Sequence, residues 1–169
     1  FALENAINRA RLVRSGLTDF LTGWHNRRYL QARLMEELAK ARRQRTSLVC
    51  LLIDLDRFKE INDEHGHLAG DMALREVAQR VDAQVRSSDA AARYGGDEFV
   101  VLLPDATLDQ ARGLAERIRE AVVATPLELA PGVERKLSVS IGMAAVTPAR
   151  DDADLKGVAE RLFSAADAA

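Results

Sequence analysis

The four residues Gly95-Gly96-Asp97-Glu98 combine two features that a metal-bound phosphate site needs, close backbone approach and acidity. Glycine lets the backbone come near a ligand, and carboxylates supply the oxygen ligands that Mg²⁺ prefers. Short apolar runs at 90–94 and 99–103 predict two strands that make these residues a hairpin turn, with the glycines at positive φ. The alternative is a plain hairpin turn whose carboxylates are only solvated.

A second acidic element, Asp54-Leu55-Asp56, follows an apolar run at residues 48–53. This run is apolar at odd and even positions alike, which is typical of a central strand buried on both faces. If the hairpin lies beside that strand, Asp54 and Asp97 converge at one edge of the sheet and make a magnesium site. Helix capping is the alternative role for Asp54 and Asp56.

Side chains of several chemical types crowd into the polar segment that follows, namely Phe58, Lys59, Asn62, His67 and Asp71. This mixture suits a nucleotide. An aspartate accepts hydrogen bonds from guanine N–H groups, an asparagine reads the carbonyl edge, and a lysine neutralises phosphate charge. Structural alternatives remain open: Asp71 as the cap of a helix at 72–85, Lys59 as a solvated cation, and His67 as a hydrogen-bonding loop residue.

Hydrophobic periodicity predicts the elements that must position these side chains. Apolar residues recur at helical spacing in four segments, 30–41, 71–85, 108–122 and 155–169. Strands are predicted at 48–53, 90–94, 99–103 and 136–146, with a polar loop between the first strand and the second of these helices. Because the central pair is an antiparallel hairpin, we expect an α+β fold, a mixed α/β layer sandwich with a central, mainly antiparallel sheet and flanking helices.

Residues 1–17 form a separate segment before the domain, which we expect to span residues 18–169. Apolar residues recur in this segment at helical steps, with Arg14 interrupting, at Leu3, Ile7, Ala10 and Leu17. The spacing is typical either of a short coiled-coil seam in a connecting helix or of a surface helix that packs on its own domain. Because residue 1 is Phe and not Met, we expect the chain to be part of a longer protein.

Composition excludes several classes of function. The 24 basic and 26 acidic residues nearly cancel, so we expect no basic surface for a nucleic-acid polymer. The one cysteine, Cys50, lies in an apolar run and is expected to be a buried hydrophobe, and the three histidines do not form a zinc pattern. Without a long apolar stretch, we expect a cytoplasmic domain that makes no membrane contact.

The run Tyr94-Gly95-Gly96-Asp97-Glu98-Phe99 matches the signature of the GGDEF family of diguanylate cyclases. Three other segments resemble family motifs in the same order: a first motif at 19–28, a substrate segment at 54–63 that continues through Gly66-His67 and Gly70-Asp71, and a later strand at 138–144. The resemblance covers roughly residues 18–169. It implies a core related to nucleotidyl cyclases and polymerase palms, and a homodimer that condenses two GTP into cyclic dimeric GMP and two pyrophosphates, downstream of a sensor domain.

The resemblance also implies a role for each site residue. Asp54, Asp97 and the backbone carbonyl of Leu55 resemble the ligands of Mg²⁺, with Mn²⁺ as an alternative ion and Glu98 as a further contact. Asp97 is also the candidate base, and Lys59 is the cation that neutralises phosphate charge. Asn62 and Asp71 resemble the guanine readers. The other residues that line the nucleotide pocket are Phe58, His67, Gly95 and Gly96.

A second site is implied away from the catalytic residues. Arg86-Ser87-Ser88-Asp89 resembles the RxxD site at which the product inhibits the enzyme, and Arg117 matches a second family arginine there. Apart from the family, an ordinary surface pair is the alternative for Arg86 and Asp89.

Two departures from the family pattern stand out. Trp24 stands where the family usually has leucine. The second departure is at the other end, where residue 169 comes before the family's phosphate-binding lysine and arginine, and this puts the affinity for the triphosphate in question. Rival hypotheses are a catalytically silent receptor of cyclic dimeric GMP and a scaffold domain, joined through residues 1–17, that binds no GTP.

Overall fold

The computed structural model describes residues 16–169, so the segment before Gly16 and its predicted connecting helix lie outside the described residues. The described chain contains five helices, which are α1 (Arg27–Gln44), α2 (Phe58–His65), α3 (His67–Asp82), α4 (Leu108–Ala124) and α5 (Leu155–Asp167). Its six strands are β1 (Leu48–Leu55), β2 (Ala90–Arg93), β3 (Glu98–Pro104), β4 (Leu127–Ala130), β5 (Val133–Arg135) and β6 (Val139–Val146). None of these helices is long and apolar enough to cross a membrane.

The main sheet is antiparallel throughout, with the strand order β2-β3-β1-β6. Strand β1 therefore has a neighbour on each side, which explains why its sequence is apolar at odd and even positions. The predictions of a central first strand, of a β2–β3 hairpin and of an α+β fold are confirmed. Strands β4 and β5 form a separate two-stranded hairpin that hydrophobic periodicity did not predict, because both are short and mostly exposed.

Each face of the sheet is covered by two helices. Odd-numbered residues of β1, such as Leu51 and Ile53, join the core cluster beneath α3 and α4. Even-numbered residues, such as Leu48 and Cys50, join the cluster beneath α1 and α5. Burying one leucine or isoleucine side chain contributes about 1.5–3 kcal/mol, so the two layers fix the orientation of β1. Burial also raises the pKa of the Cys50 thiol to about 12, in line with its predicted role as a hydrophobe.

Several predicted boundaries were wrong. The polar loop predicted after β1 contains helix α2, which hydrophobic periodicity missed because Ile61 is its one buried residue. Gly66 adopts a φ of +84° between α2 and α3, and α3 then begins at His67 rather than at residue 71. The strand predicted at 136–146 begins at Val139.

Candidate functional site

The end of β1 and the candidate catalytic turn at residues 95–98 lie side by side. Asp54 pairs with Glu98 across the antiparallel β1–β3 ladder. The backbone N–H of Leu55 donates to the carbonyl oxygen of Asp97 at 3.1 Å, one residue beyond that pair. The structure thus brings Asp54, Leu55, Asp97 and Glu98 to one edge of the sheet, which we call the acidic edge.

Charge is concentrated at this acidic edge. Although Asp54 is exposed, partial desolvation and then the neighbouring carboxylates of Asp97, Glu98 and Asp56 raise its pKa to about 6. A divalent cation would relieve this repulsion, so the donor set fits a metal ion. Within residues 16–169, no three acidic, histidine or cysteine side chains are arranged to enclose a metal by themselves. Mg²⁺ needs only one or two carboxylates when water and substrate phosphates complete its shell.

The two glycines of the turn were predicted to adopt positive φ angles, and this prediction is wrong. Their role in the structure is to leave space. Neither Gly95 nor Gly96 is among the described residues with a left-handed backbone. A Cβ atom on Gly95 would lie 2.5 Å from Oε2 of Glu98, whose side chain folds back over the turn. The backbone N–H of Tyr94 donates to the Glu98 carbonyl at 2.8 Å and closes the turn. Gly95 therefore leaves room for the Glu98 carboxylate, which occupies the place where a Cβ atom would stand.

Arg93 holds the turn from the other side, a role that sequence analysis missed. Its Nη2 and Nε atoms donate to the carbonyl oxygen of Gly96 at 2.7 and 3.2 Å, and its Nη1 donates to the Asp19 carboxylate at 3.1 and 3.3 Å. Asp19 also accepts the N–H and hydroxyl of Thr22. Desolvation raises the pKa of Asp19, but these hydrogen bonds and the Arg93 charge outweigh it and lower the pKa overall. The sequence offered one signal for this contact: Asp19 is an acidic residue in the first motif, and Arg93 comes just before the family signature.

Asn62 and Phe58 lie on α2 against the second turn of α3. A Cβ atom on Gly70 would overlap Oδ1 of Asn62 and would lie 3.1 Å from Cε2 of Phe58. Asp71 is the next residue of α3 and is half-buried. It does not cap the helix, because α3 begins four residues earlier at His67. The α2–α3 junction therefore gathers an aromatic ring, an amide and a carboxylate, the set predicted for a nucleobase.

The remaining charged candidates of this region lie on the surface. Lys59, in the first turn of α2, and His67, at the start of α3, are exposed. Lys59 makes no ion pair with any residue in the range 16–169. Asp56 does not cap α2, whose N-cap residue is Arg57 with no capping side chain. Its carboxylate instead accepts the hydroxyls of Ser138 and Ser140.

The RxxD segment forms a turn on another side of the molecule. The carboxylate of Asp89 accepts the backbone N–H of Arg86 at 2.8 Å, and the side chains of these residues form no ion pair within the part of the chain that is described. Both residues line a cavity of about 640 Å³, together with Arg75. Arg117 is exposed on α4 and is not among the residues that line this cavity.

Trp24, the departure in the first motif, is a core residue. It is 8% exposed, and its ring meets Phe99 edge to face at a centroid distance of 5.3 Å. The larger ring thus packs beneath the catalytic hairpin, where the family's leucine would be smaller. At the other end of the chain, Ala166 and Ala169 line a cavity of about 240 Å³ together with Asp54 and Glu98.

Comparisons with known proteins show the family to which the chain belongs. Residues 16–169 match the family described as diguanylate cyclase, GGDEF domain. The response regulator PleD of Caulobacter vibrioides is 43% identical over 152 residues, which are 88% of this chain and 34% of PleD. The diguanylate cyclase DosC of Escherichia coli is 48% identical over 126 residues, which are 75% of this chain and 27% of DosC. The chain belongs to the GGDEF-domain family of diguanylate cyclases and spans about a third of the length of these relatives.

Solved structures show the same fold. The diguanylate cyclase SiaD of Pseudomonas aeruginosa, in complex with its activator SiaC, superposes with a TM-score of 0.83 and 30% identity over 99% of this chain and 62% of that chain. The GGDEF domain of DgcB from Caulobacter crescentus, in complex with c-di-GMP, has a TM-score of 0.80 and 30% identity over 90% of this chain and 86% of that chain.

Proposed function

We propose that this chain is the catalytic domain of a diguanylate cyclase, which joins two GTP molecules into cyclic dimeric GMP and releases two pyrophosphates. The observation that carries the proposal is the acidic edge, where Asp54, Leu55 and Asp97 meet beside the α2–α3 junction. Family membership supports it, and so do the names of the relatives.

In the proposed mechanism, the carboxylates of Asp54 and Asp97 and the carbonyl of Leu55 would hold Mg²⁺ or Mn²⁺, with Glu98 as a further contact. The ion neutralises charge on the substrate phosphates when it is bound. Asp97 accepts the proton of a ribose 3′-hydroxyl, whose oxygen bonds to the α-phosphorus of the facing GTP while the bond to pyrophosphate breaks. Lys59, exposed in the first turn of α2, stabilises negative charge on the phosphate oxygens.

Guanine is recognised at the α2–α3 junction. The Asn62 amide reads the carbonyl edge of the base, and the Asp71 carboxylate accepts hydrogen bonds from its N–H groups. Phe58 and His67 line the pocket. Gly96 lets the backbone of the turn approach the nucleotide, because the space beside its Cα atom is open, and Gly95 leaves room for the Glu98 carboxylate.

Two chains are required because each brings one GTP. We propose a homodimer in which two acidic edges face each other, with residues 1–17 as the link to a sensor domain in the parent protein. We place residues 18–169 in the cytoplasm, where GTP is available.

Product feedback is proposed at the RxxD turn. Arg86 is exposed beside the cavity of about 640 Å³, and an arginine fork suits a phosphate or a guanine edge. Asp89 keeps the turn in place through the Arg86 amide. Arg117 supplies a second cation from α4. Removing Arg86 should therefore abolish inhibition by added product without lowering the initial rate.

The first test uses protein stripped of bound nucleotide and incubated with GTP and Mg²⁺, with products identified by chromatography and mass spectrometry. Wild-type protein should make cyclic dimeric GMP and Asp97→Asn should not, whereas Asp151→Asn, at an exposed loop position, should match the wild type. A wild-type protein that binds the product but makes none would support the silent receptor and would overturn the cyclase proposal.

A further inference from the structure

Asp56 is the centre of a polar cluster at the end of β1. Its carboxylate accepts hydrogen bonds from the hydroxyl of Ser138 at 2.6 Å and from that of Ser140 at 2.7 Å, one on each oxygen. Its backbone N–H donates to the carbonyl oxygen of Ser138 at 3.0 Å. Three hydrogen bonds therefore tie one residue to the start of β6, on both sides of the last ladder pair, Leu55 with Val139.

The segments on both sides of Asp56 carry residues of the proposed active site. The N–H of Leu55 is bonded to the carbonyl of Asp97, so the strand end is held by the catalytic turn on one side and by the Asp56 cluster on the other. The next residue, Arg57, has a left-handed backbone with a φ of +57°, and α2 begins immediately after it. The position of Asp56 thus sets both the acidic edge and the start of the helix that carries Asn62.

We infer that Asp56, Ser138 and Ser140 are positioning residues, which keep the Leu55 carbonyl and the Asp54 carboxylate aimed at one point. This inference rests on the proposed function. Asp56 is not itself arranged as a ligand, because each of its oxygens already accepts a short, charge-assisted hydrogen bond. Ser140 lies opposite Asp54 in the ladder yet donates to Asp56, which leaves the Asp54 oxygens available for a cation.

Asp56→Asn tests this role with little change in shape. An amide has one acceptor oxygen in place of two, so one serine hydroxyl must turn to accept from the amide N–H, and both hydrogen bonds lose the charge of the carboxylate. We expect kcat to fall by about 10- to 100-fold, as misplacement of a reacting group by about 1 Å does. The KM for GTP should change by less than about twofold, because the guanine contacts remain. The kcat of the Ser138→Ala/Ser140→Ala double variant should fall by a similar factor. Adding Asp56→Asn to this double variant should lower kcat by less than about a further twofold.

Metal binding provides a readout that is independent of turnover. Mn²⁺ is titrated by electron paramagnetic resonance in the presence of a non-hydrolysable GTP analogue. Asp56→Asn and the Ser138→Ala/Ser140→Ala double variant should each need a severalfold higher Mn²⁺ concentration for half-saturation. Substitution of a residue that only stabilises the fold would leave this concentration unchanged. The single variant Ser140→Thr retains the hydroxyl, so it should keep the half-saturating Mn²⁺ concentration of the wild type. Asp151→Asn and Ser164→Ala, both at exposed positions, serve as matched controls.

The outcomes separate this inference from the cyclase proposal. Wild-type kcat and Mn²⁺ affinity in Asp56→Asn would overturn the inference. So would loss of all Mn²⁺ binding in Asp56→Asn with no effect of the serine substitutions, since Asp56 would then be a ligand. A wild-type protein that makes no product contradicts the proposed function, and the Mn²⁺ titration then still decides the role of the cluster. If Asp56→Asn does not fold, the serine variants give the same decision, because both serines are exposed.

Discussion

At the scale of single residues, the position of Asn62 depends on a missing side chain. Gly70→Ala would place a methyl group where Oδ1 of Asn62 now lies, so the flexible amide must move away from the guanine pocket. The helix itself should tolerate the change, since alanine is favoured over glycine by about 1 kcal/mol in a helix interior. We therefore expect the KM for GTP to rise at least about tenfold, as the loss of a good hydrogen-bond pair implies, while the fold is retained. Steady-state kinetics and thermal unfolding measure both.

Gly113→Ala is the matched control for that prediction. Gly113 is an exposed residue of α4, and the nearest atom to an added Cβ is Nη1 of Arg117 at 3.9 Å. The gain in helix propensity should be similar, but KM should not change. An unchanged KM in Gly70→Ala would mean that Asn62 does not contact the base.

The raised pKa of Asp54 gives a second prediction at this scale. Because its folded pKa is about 6 and its ordinary value is 3.8, ionised Asp54 destabilises the metal-free fold above pH 6, and the penalty disappears as the pH falls towards 4. Asp54→Asn should therefore stabilise the metal-free protein at pH 8 by about 1 kcal/mol, allowing for solvent screening, and should have no effect at pH 4.

Urea unfolding at the two pH values measures this difference. Added Mg²⁺ should then stabilise the wild type and not Asp54→Asn, because the ion offsets the same repulsion. If Mg²⁺ stabilised both proteins equally at pH 8, Asp54 would not be a metal ligand.

At the scale of elements, the hydrophobic pattern of the sequence predicted the helices and strands that have a regular apolar face. The β1 run, the β2–β3 hairpin, α1 and α4 were predicted to within a few residues, because each buries a periodic set of side chains. Helix α2 and the β4–β5 hairpin were missed, because they bury few residues and are defined by local hydrogen bonds. The contacts of Arg93 with Asp19 and of Asp56 with the two serines were not predicted for a different reason, because these partners are far apart in sequence.

The hydrogen bonds of Arg93 join the end of β2 to the segment that contains Asp19, and substitution of Arg93 tests what they contribute to stability and turnover. Arg93 and Asp19 have side chains only 17% and 21% exposed, and the planar guanidinium contacts both Asp19 and the Gly96 carbonyl. Lysine cannot span both partners with one ammonium group. Arg93→Lys should lower the free energy of unfolding by about 1.5–3 kcal/mol, the value of hydrogen bonds to charged groups, and should lower kcat because the turn loses its support.

The matched control is Arg119→Lys, whose ion pair with Glu116 is more than half exposed and should contribute little. A double-mutant cycle with Asp19→Asn isolates the pairwise energy. Equal effects of Arg93→Lys and Arg119→Lys on both stability and kcat would show that Arg93 does not support the turn.

At the scale of the whole molecule, the antiparallel sheet brings together segments far apart in the chain. Ser138 and Ser140 reach Asp56 across more than 80 positions of sequence, and Arg93 reaches Asp19 across 74. The family signature located the acidic residues without this information. The sheet explains why they converge, since β1 lies between the strand that carries Glu98 and the strand that carries Ser140.

Residues 16–169 present one acidic edge and one proposed guanine pocket, whereas the proposed reaction consumes two GTP at facing sites. Specific activity should therefore fall in proportion to protein concentration below the dimer dissociation constant, since the active fraction then follows mass action. If residues 1–17 contribute to the proposed homodimer, Ile7→Asp should move this fall to higher protein concentration, while Asn8→Asp, its polar neighbour, should not. Initial rates over a dilution series, with sedimentation equilibrium on the same samples, measure both. A specific activity that stays constant on dilution while the protein sediments as a monomer would show that a single chain completes the reaction.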